Sequence, residues 1–286
     1  MSERGQAAVG AAARQLNLGA ALLALAVLAD SAVEHYRGSF HNRAMYAPLA
    51  SAALALGGSL HGTMDRRAAR HPVRDAMYAL AAATGIAGLG FHAYNINKRP
   101  GGWSWLNLFY GAPIGAPFAL TLAGLLGRGA EKARAGGPAA MDGKRHGLSP
   151  SGLPLGRLLA AVSAAGLAGT VAEAALLHFR GAYHDPAMVL PVSIPPVAAT
   201  LLGAAAVSPS RRTHRRARRW LKLTAVLGLA GVGLHAFGIA RNMGGWRNWS
   251  QNVLNGPPLP APPSFTGLAL TGLAALSLIE ETERVA

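Results

Sequence analysis

The chain of 286 residues contains no cysteine. That excludes a disulfide framework, a thiolate metal site, a cysteine nucleophile and an iron–sulfur cluster held on thiolates. Charge is also scarce. Only 14% of residues are charged, and acidic residues number just 12. A soluble domain places charge on about a quarter of its residues, so this composition argues against a soluble globule. The 51% hydrophobic content equally excludes a disordered chain. No phosphate loop, dinucleotide fingerprint or HExxH zinc signature is found in the sequence. What charge there is has one sign, with 27 Lys and Arg and a net charge of +15. The basic residues cluster between apolar runs, as in Asp65-Arg66-Arg67-Ala68-Ala69-Arg70 and Arg211-Arg212-Thr213-His214-Arg215-Arg216. Basic loops between apolar spans mark the cytoplasmic face of a membrane protein, so nucleic acid is not the expected partner and the lipid bilayer is.

Eight apolar stretches are legible, at 16–33, 44–60, 76–93, 109–126, 155–177, 189–207, 221–239 and 264–279. Most approach the 17–25 residues that cross a bilayer as a helix, and backbone in lipid must satisfy its own hydrogen bonds. The expected fold is an all-α integral membrane protein with eight transmembrane helices. With the N-terminus inside, 20 of the 27 Lys and Arg fall on inner segments. The remaining seven are Arg37, Arg43, Lys98, Arg99, Arg180, Arg241 and Arg247. The positive-inside rule then predicts a multi-pass protein of a bacterial-type inner membrane, with both termini in the cytoplasm. The Pro195-Pro196 pair in the sixth span predicts a broken helix.

The chain contains itself twice. His35-Tyr36-Arg37-Gly38-Ser39-Phe40-His41 matches His178-Phe179-Arg180-Gly181-Ala182-Tyr183-His184 at an offset of 143 residues. The same offset relates Asp30 to Glu173, Met45 to Met188, and Pro48 to Pro191. It carries Gly85, Gly88, Gly90 and His92 onto Gly228, Gly231, Gly233 and His235, and Gly101-Gly102-Trp103 onto Gly244-Gly245-Trp246. Beyond the tryptophan the second copy gains a residue or two, so that Ala112-Pro113 meets Pro257-Pro258. Four spans per copy return the chain to its starting side, which makes this a parallel repeat with a pseudo-two-fold axis along the membrane normal. The expected organisation is a cytoplasmic tail at 1–14, a four-helix bundle at 15–127, a basic linker at 128–152, a second bundle at 153–279 and a tail at 280–286. The same helix recurs mid-chain, so the first span reads as a membrane helix and not as a cleaved leader.

The positions kept in both copies are small and polar, which points to a site at the outer face. Six of the ten histidines belong to it: His35, His41 and His92, with His178, His184 and His235. One expectation is haem b held by paired histidines, His35 with His92 and His178 with His235, with Gly88, Gly90, Gly231 and Gly233 allowing a flat macrocycle close to the backbone. A second is another His-ligated transition metal on all six histidines, with Asp30 or Glu173 orienting a ligand. A third is helix packing through small residues alone. Met45 and Met188 suit copper, but Met in an apolar helix is usually filler. Gly38 and Gly181 are expected as left-handed helix caps. Asp30 with Arg37, and Glu173 with Arg180, stand two helical turns apart and predict ion pairs about 10 Å along the axis.

The loops carrying Trp103 and Trp246 are aromatic, and the second continues into the proline-rich run 257–263. They suit the headgroup level, or the docking of a periplasmic or extracellular protein. The expected function is a haem b- or metal-binding electron-transfer subunit for an external dehydrogenase. The alternatives are a small-solute or metal-ion transporter or channel, with Asp30 and Glu173 in the pathway, and a non-catalytic membrane anchor or assembly factor.

Overall fold

A computed structural model describes residues 3–111, 113–136 and 153–285. Among the described residues there is no strand. The long helices are α1 (Glu3–Arg37), α2 (Ala47–Met64) and α3 (Pro72–Asn97), followed by the short α4 (Trp105–Tyr110) and by α5 (Gly115–Gly136). After the linker come α6 (Leu155–Arg180), α7 (Leu190–Val207), α8 (Arg211–Arg241) and α9 (Pro263–Val285). Six segments are long and apolar enough to cross a membrane: Glu3–Arg37, Pro72–Asn97, Leu155–Arg180, Pro186–Val207, Arg211–Arg241 and Pro263–Arg284. These mark the chain as a membrane protein. α2 and α5 fall outside that set. α2 carries Ser51, Ser59 and His61 within only 18 residues, and the last turns of α5 hold Arg128, Glu131, Lys132 and Arg134.

Several boundaries differ from the sequence reading. α1 already begins at Glu3, inside the expected tail, and α9 continues through the expected tail to Val285. α5 extends to Gly136, so residues 128–136 of the expected linker are helix, and 137–152 lie outside the described residues. α7 runs unbroken through Pro195 and Pro196. Lacking an N–H, the two prolines leave the carbonyls of Pro191 and Val192 without their helical donors, and in a membrane helix such prolines are tolerated where local adjustment and neighbours compensate.

The first four long helices pack on one another, and so do the last four. α1 against α9, and α5 against α6, join the two groups. The α1–α9 crossing is very close. A Cβ on Gly19 would stand 2.4 Å from Thr271 Cγ2, and one on Gly267 would stand 2.8 Å from the Gly19 carbonyl oxygen. Only glycine permits that approach. The shared core is Ala and Leu, including Leu16, Leu23, Leu126, Leu167, Leu202 and Leu268.

One end of the assembly carries the six repeated histidines and the other the basic loops. At the basic end, the first half holds a buried ionic network. Arg74, 1% exposed, grips Glu131 through two nitrogens at 2.9 and 3.1 Å and reaches Asp65 at 2.7 Å. Arg134 donates to the carbonyls of Gly62, Asp65 and Arg67. Nearby, Tyr78 donates to Asn17 at 2.5 Å. Burial alone would raise the Asp65 pKa. The Arg67 amide, the Arg74 hydrogen bond and the charges of Arg74 and Arg134 outweigh it and hold the carboxyl at about 2.

Candidate functional site at the histidine end

The site begins where α1 and α6 stop. Past Arg37 the chain turns through Ser39 and Phe40, both at positive φ (58° and 44°). Past Arg180 it does the same at Ala182 and Tyr183 (54° and 47°). The amides of Phe40 and Tyr183 bond back to the carbonyls of His35 and His178, each at 3.0 Å. The left-handed residues are therefore not the glycines. Gly181 has an ordinary φ of −81°, and Gly38 is likewise absent from the positive-φ positions. These glycines serve a different contact: a Cβ there would lie 3.1 and 2.9 Å from the Met45 and Met188 methyls. Asn42 and Asp185 then cap the following turns by accepting from the Ala44 and Ala187 amides, each at 2.9 Å.

This loop lays a backbone carbonyl over each helix-end histidine. His35 Nδ1 meets the Met45 carbonyl at 2.7 Å, and His178 Nδ1 meets that of Met188 at 2.7 Å. On the facing helices, His92 Nδ1 meets the Pro113 carbonyl, and His235 Nδ1 that of Pro258 at 2.8 Å. The Gly-Gly-Trp turns deliver those prolines. Gly101, Gly102, Gly244 and Gly245 all have φ between 48° and 86°, which explains both glycine pairs. Asn107 donates to Pro100 and Gly102 at 3.0 and 2.8 Å, and Asn252 to Met243 and Gly245 at 3.0 and 2.8 Å. These asparagines escaped the sequence reading because they pair only at an offset of 145, beyond the two-residue insertion.

His41 and His184 are exposed, with Nδ1 on the carbonyls of Gly38 and Gly181 at 3.0 and 2.9 Å. All six repeated histidines thus set Nδ1 against a carbonyl, which only accepts. A carbonyl partner calls for the proton on Nδ1, and in the neutral ring Nε2 then carries the lone pair a metal would take. The three histidines of each half are not gathered into one cluster, however. Among the described residues, no group of three or more His, Asp or Glu comes close enough together to hold a metal ion. His41 and His184 are drawn out onto their own loops instead.

Neither expected ion pair forms. Arg37 turns to Glu34 at 2.6 Å, since residues three apart on a helix are nearer than residues seven apart. Arg180 lies over the rings of Phe109 and Tyr110, 5.0 and 5.8 Å from their centroids. Asp30 and Glu173 are left facing a cavity of about 670 Å³ formed by α1, α5, α6, α8 and α9. A Cβ on Gly115 would coincide with the Glu173 carboxylate, which stands over the first residue of α5. His178, His184, His235 and Gly231 line the same cavity, with Phe118 and Phe265 among its apolar walls and Arg180 and Arg241 also contributing.

The remaining candidates separate. Gly88 and Gly231 make room for Pro117 and Pro262, where a Cβ would stand 3.1 and 2.8 Å away. Gly85 and Gly228 do so for Thr121 and Thr266. Gly90 and Gly233 face open space. Trp103 and Trp246 are about half exposed, at 52% and 48%. Compared with known proteins, the chain matches no family model, and no curated protein or solved structure matches it.

Proposed function

We propose that the chain is an eight-span inner-membrane protein of two tandem four-helix repeats, with both termini in the cytoplasm. In this reading its histidine pairs bind haem b in an electron-transfer subunit serving an external dehydrogenase. The observation that carries the reading is the pairing of His178 and His235. They come from α6 and α8, line one cavity of about 670 Å³, and both anchor Nδ1 on a backbone carbonyl. That anchoring fixes ring orientation and tautomer, as ligating histidines require. The volume lies within the range of cofactor pockets, and His35 and His92 repeat the anchoring in the first half. Haem b would supply one-electron chemistry, for which the protein's own part is ligation, orientation and a dry apolar wall. Arg180 and Arg241, which line the same cavity, would offer cations to its propionates.

The test is a visible spectrum of the purified protein. A Soret band is expected. His92→Leu and His235→Leu should each remove about half of the bound haem and together nearly all of it, if each histidine pair holds its own haem. His61→Leu, at the basic end, should remove none. A colourless, haem-free preparation abandons the redox reading. The second reading, a transporter, then takes precedence, because Asp30 and Glu173 face one cavity without an ion-pair partner among the described residues. A carboxylate inside a span is a pathway candidate, and uptake into proteoliposomes tests it.

A further inference from the structure

α8 starts well before its apolar span. Over Arg211–Lys222 one face is buried, by His214, Ala217 and Leu221. The opposite face exposes Arg211, Arg212, Arg215, Arg216, Arg219 and Lys222. Of the basic residues here only Arg218 is paired, with Glu280 at 2.9 Å, and the other six meet no acidic side chain among the described residues.

The repeat shows that the helix does not need this charge in order to fold. At an offset of 143, the six cations correspond to Ala68, Ala69, Pro72, Val73, Ala76 and Ala79. The first half also has basic residues at this end, but those around the α2–α3 turn and on α5 are largely neutralised internally. Arg67 lies 3.6 Å from Asp65, Arg70 pairs with Asp75, Arg74 with Glu131 and Asp65, and Arg128 with Asp75 at 3.2 Å. Arg4, Arg66 and Lys132 are exposed there without an acidic partner, but they stand on separate elements, and among the described residues the second half alone lines free cations along one helix face.

Their place on the helix identifies what they meet. Arg215, Arg219 and Lys222 lie four and three residues apart, and the same stripe continues through Val226 and Leu229. Those two are 63% and 61% exposed within the apolar span, facing where acyl chains lie. A lipid lying along Val226 and Leu229 brings its headgroup up to Lys222 and Arg219. The basic side chains can bend toward the phosphate while their stems stay on apolar surface. We propose that this stripe is a binding site for anionic phospholipid headgroups, specific to the second half. Polybasic segments beside a span attract anionic lipid in this way, and the attraction fades within a Debye length.

The experiment uses the full-length protein in nanodiscs of phosphatidylcholine containing phosphatidylglycerol, with retained lipid counted by native mass spectrometry. Arg215→Gln/Arg219→Gln/Lys222→Gln should lower phosphatidylglycerol retention about fivefold or more. The control Arg4→Gln/Arg66→Gln/Lys132→Gln removes the same charge from exposed positions at the same end and should leave retention unchanged. Arg215→Lys/Arg219→Lys should also retain the lipid, which separates charge from folding. Phosphatidylglycerol should raise the thermal midpoint of the wild type in mixed micelles, and inorganic phosphate should not. Equal loss in both triple variants, no loss in either, or stabilisation by inorganic phosphate overturns the proposal.

Discussion

Glu131 is fully buried and holds Arg74 through both carboxylate oxygens, yet the second half has Leu276 at the equivalent position, 145 residues on. Its neighbours change in concert: Asp65, Arg74 and Arg134 correspond to Ser208, Ala217 and Ile279. Breaking a buried pair leaves an uncompensated charge and costs about 3–5 kcal/mol, whereas replacing a whole buried network by apolar groups is often neutral. Glu131→Leu alone should therefore lower unfolding stability in detergent by about 3 kcal/mol. The quadruple change Asp65→Ser/Arg74→Ala/Glu131→Leu/Arg134→Ile, which installs the second half's own residues, should recover most of that loss. A quadruple variant as damaged as the single one would show that the carbonyls of Gly62, Asp65 and Arg67 depend on Arg134 more than the carboxylates do. This network was illegible in the sequence for a physical reason. Comparing the chain with itself selects positions that both copies keep, and a network built in one copy leaves no trace in that comparison. The six paired histidines were legible by the same logic. The carbonyls that orient them were not, because main-chain acceptors at Met45, Met188, Pro113 and Pro258 carry no side-chain signature.

Helices were legible wherever apolar length dominated, and their ends were not. α5 continues nine residues past the expected boundary because Arg128, Glu131 and Arg134 are satisfied by partners at the basic end of α2 and α3, so charge did not terminate the helix. Glycines sort by what faces them, which spacing along one helix does not reveal. Gly19 stands against α9, with only 2.4 Å between a built Cβ and Thr271 Cγ2, whereas Gly90 faces nothing within 4 Å. Gly19→Ala should force α1 and α9 apart and destabilise by about 1–3 kcal/mol, as overpacking does. Gly90→Ala should be neutral or stabilise by up to about 1 kcal/mol, since alanine is the better helix former. Thermal unfolding of the two variants side by side measures the contrast. Equal effects would mean that the α1–α9 crossing yields easily and does not hold the halves together. Haem content is a second readout: if the proposed haem lies over Gly90, Gly90→Ala should lose haem without losing stability.

At the scale of the whole molecule, both halves gather their loops by chemistry. The turn between α2 and α3, the end of α5 and the start of α8 share the basic end, where Arg134 bonds to residues 62–67 and Arg218 meets Glu280 of α9. The Gly-Gly-Trp turns and the histidine loops occupy the opposite end. There, several of the few cations are engaged locally: Arg37 with Glu34, Arg241 near Asp185 at 3.9 Å, and Arg180 over aromatic rings. The proposed orientation places the basic end in the cytoplasm, because translocation is resisted by Lys and Arg in short loops and 20 of the 27 belong to segments that the sequence reading assigns to the inner side. The unpaired stripe on α8 adds to this bias, since anionic headgroups on the cytoplasmic leaflet hold free cations where they are. A reporter fused after Arg134 should therefore report the cytoplasm, and one inserted beside Trp103 the exterior. Neutralising the α8 stripe should weaken the orientation of the second half more than that of the first, where Arg67, Arg70, Arg74 and Arg128 are already tied to Asp65, Asp75 and Glu131. Reporters that read the exterior at Arg134 and the cytoplasm at Trp103 would invert the assignment and place the histidine cavity on the cytoplasmic side, out of reach of an external dehydrogenase.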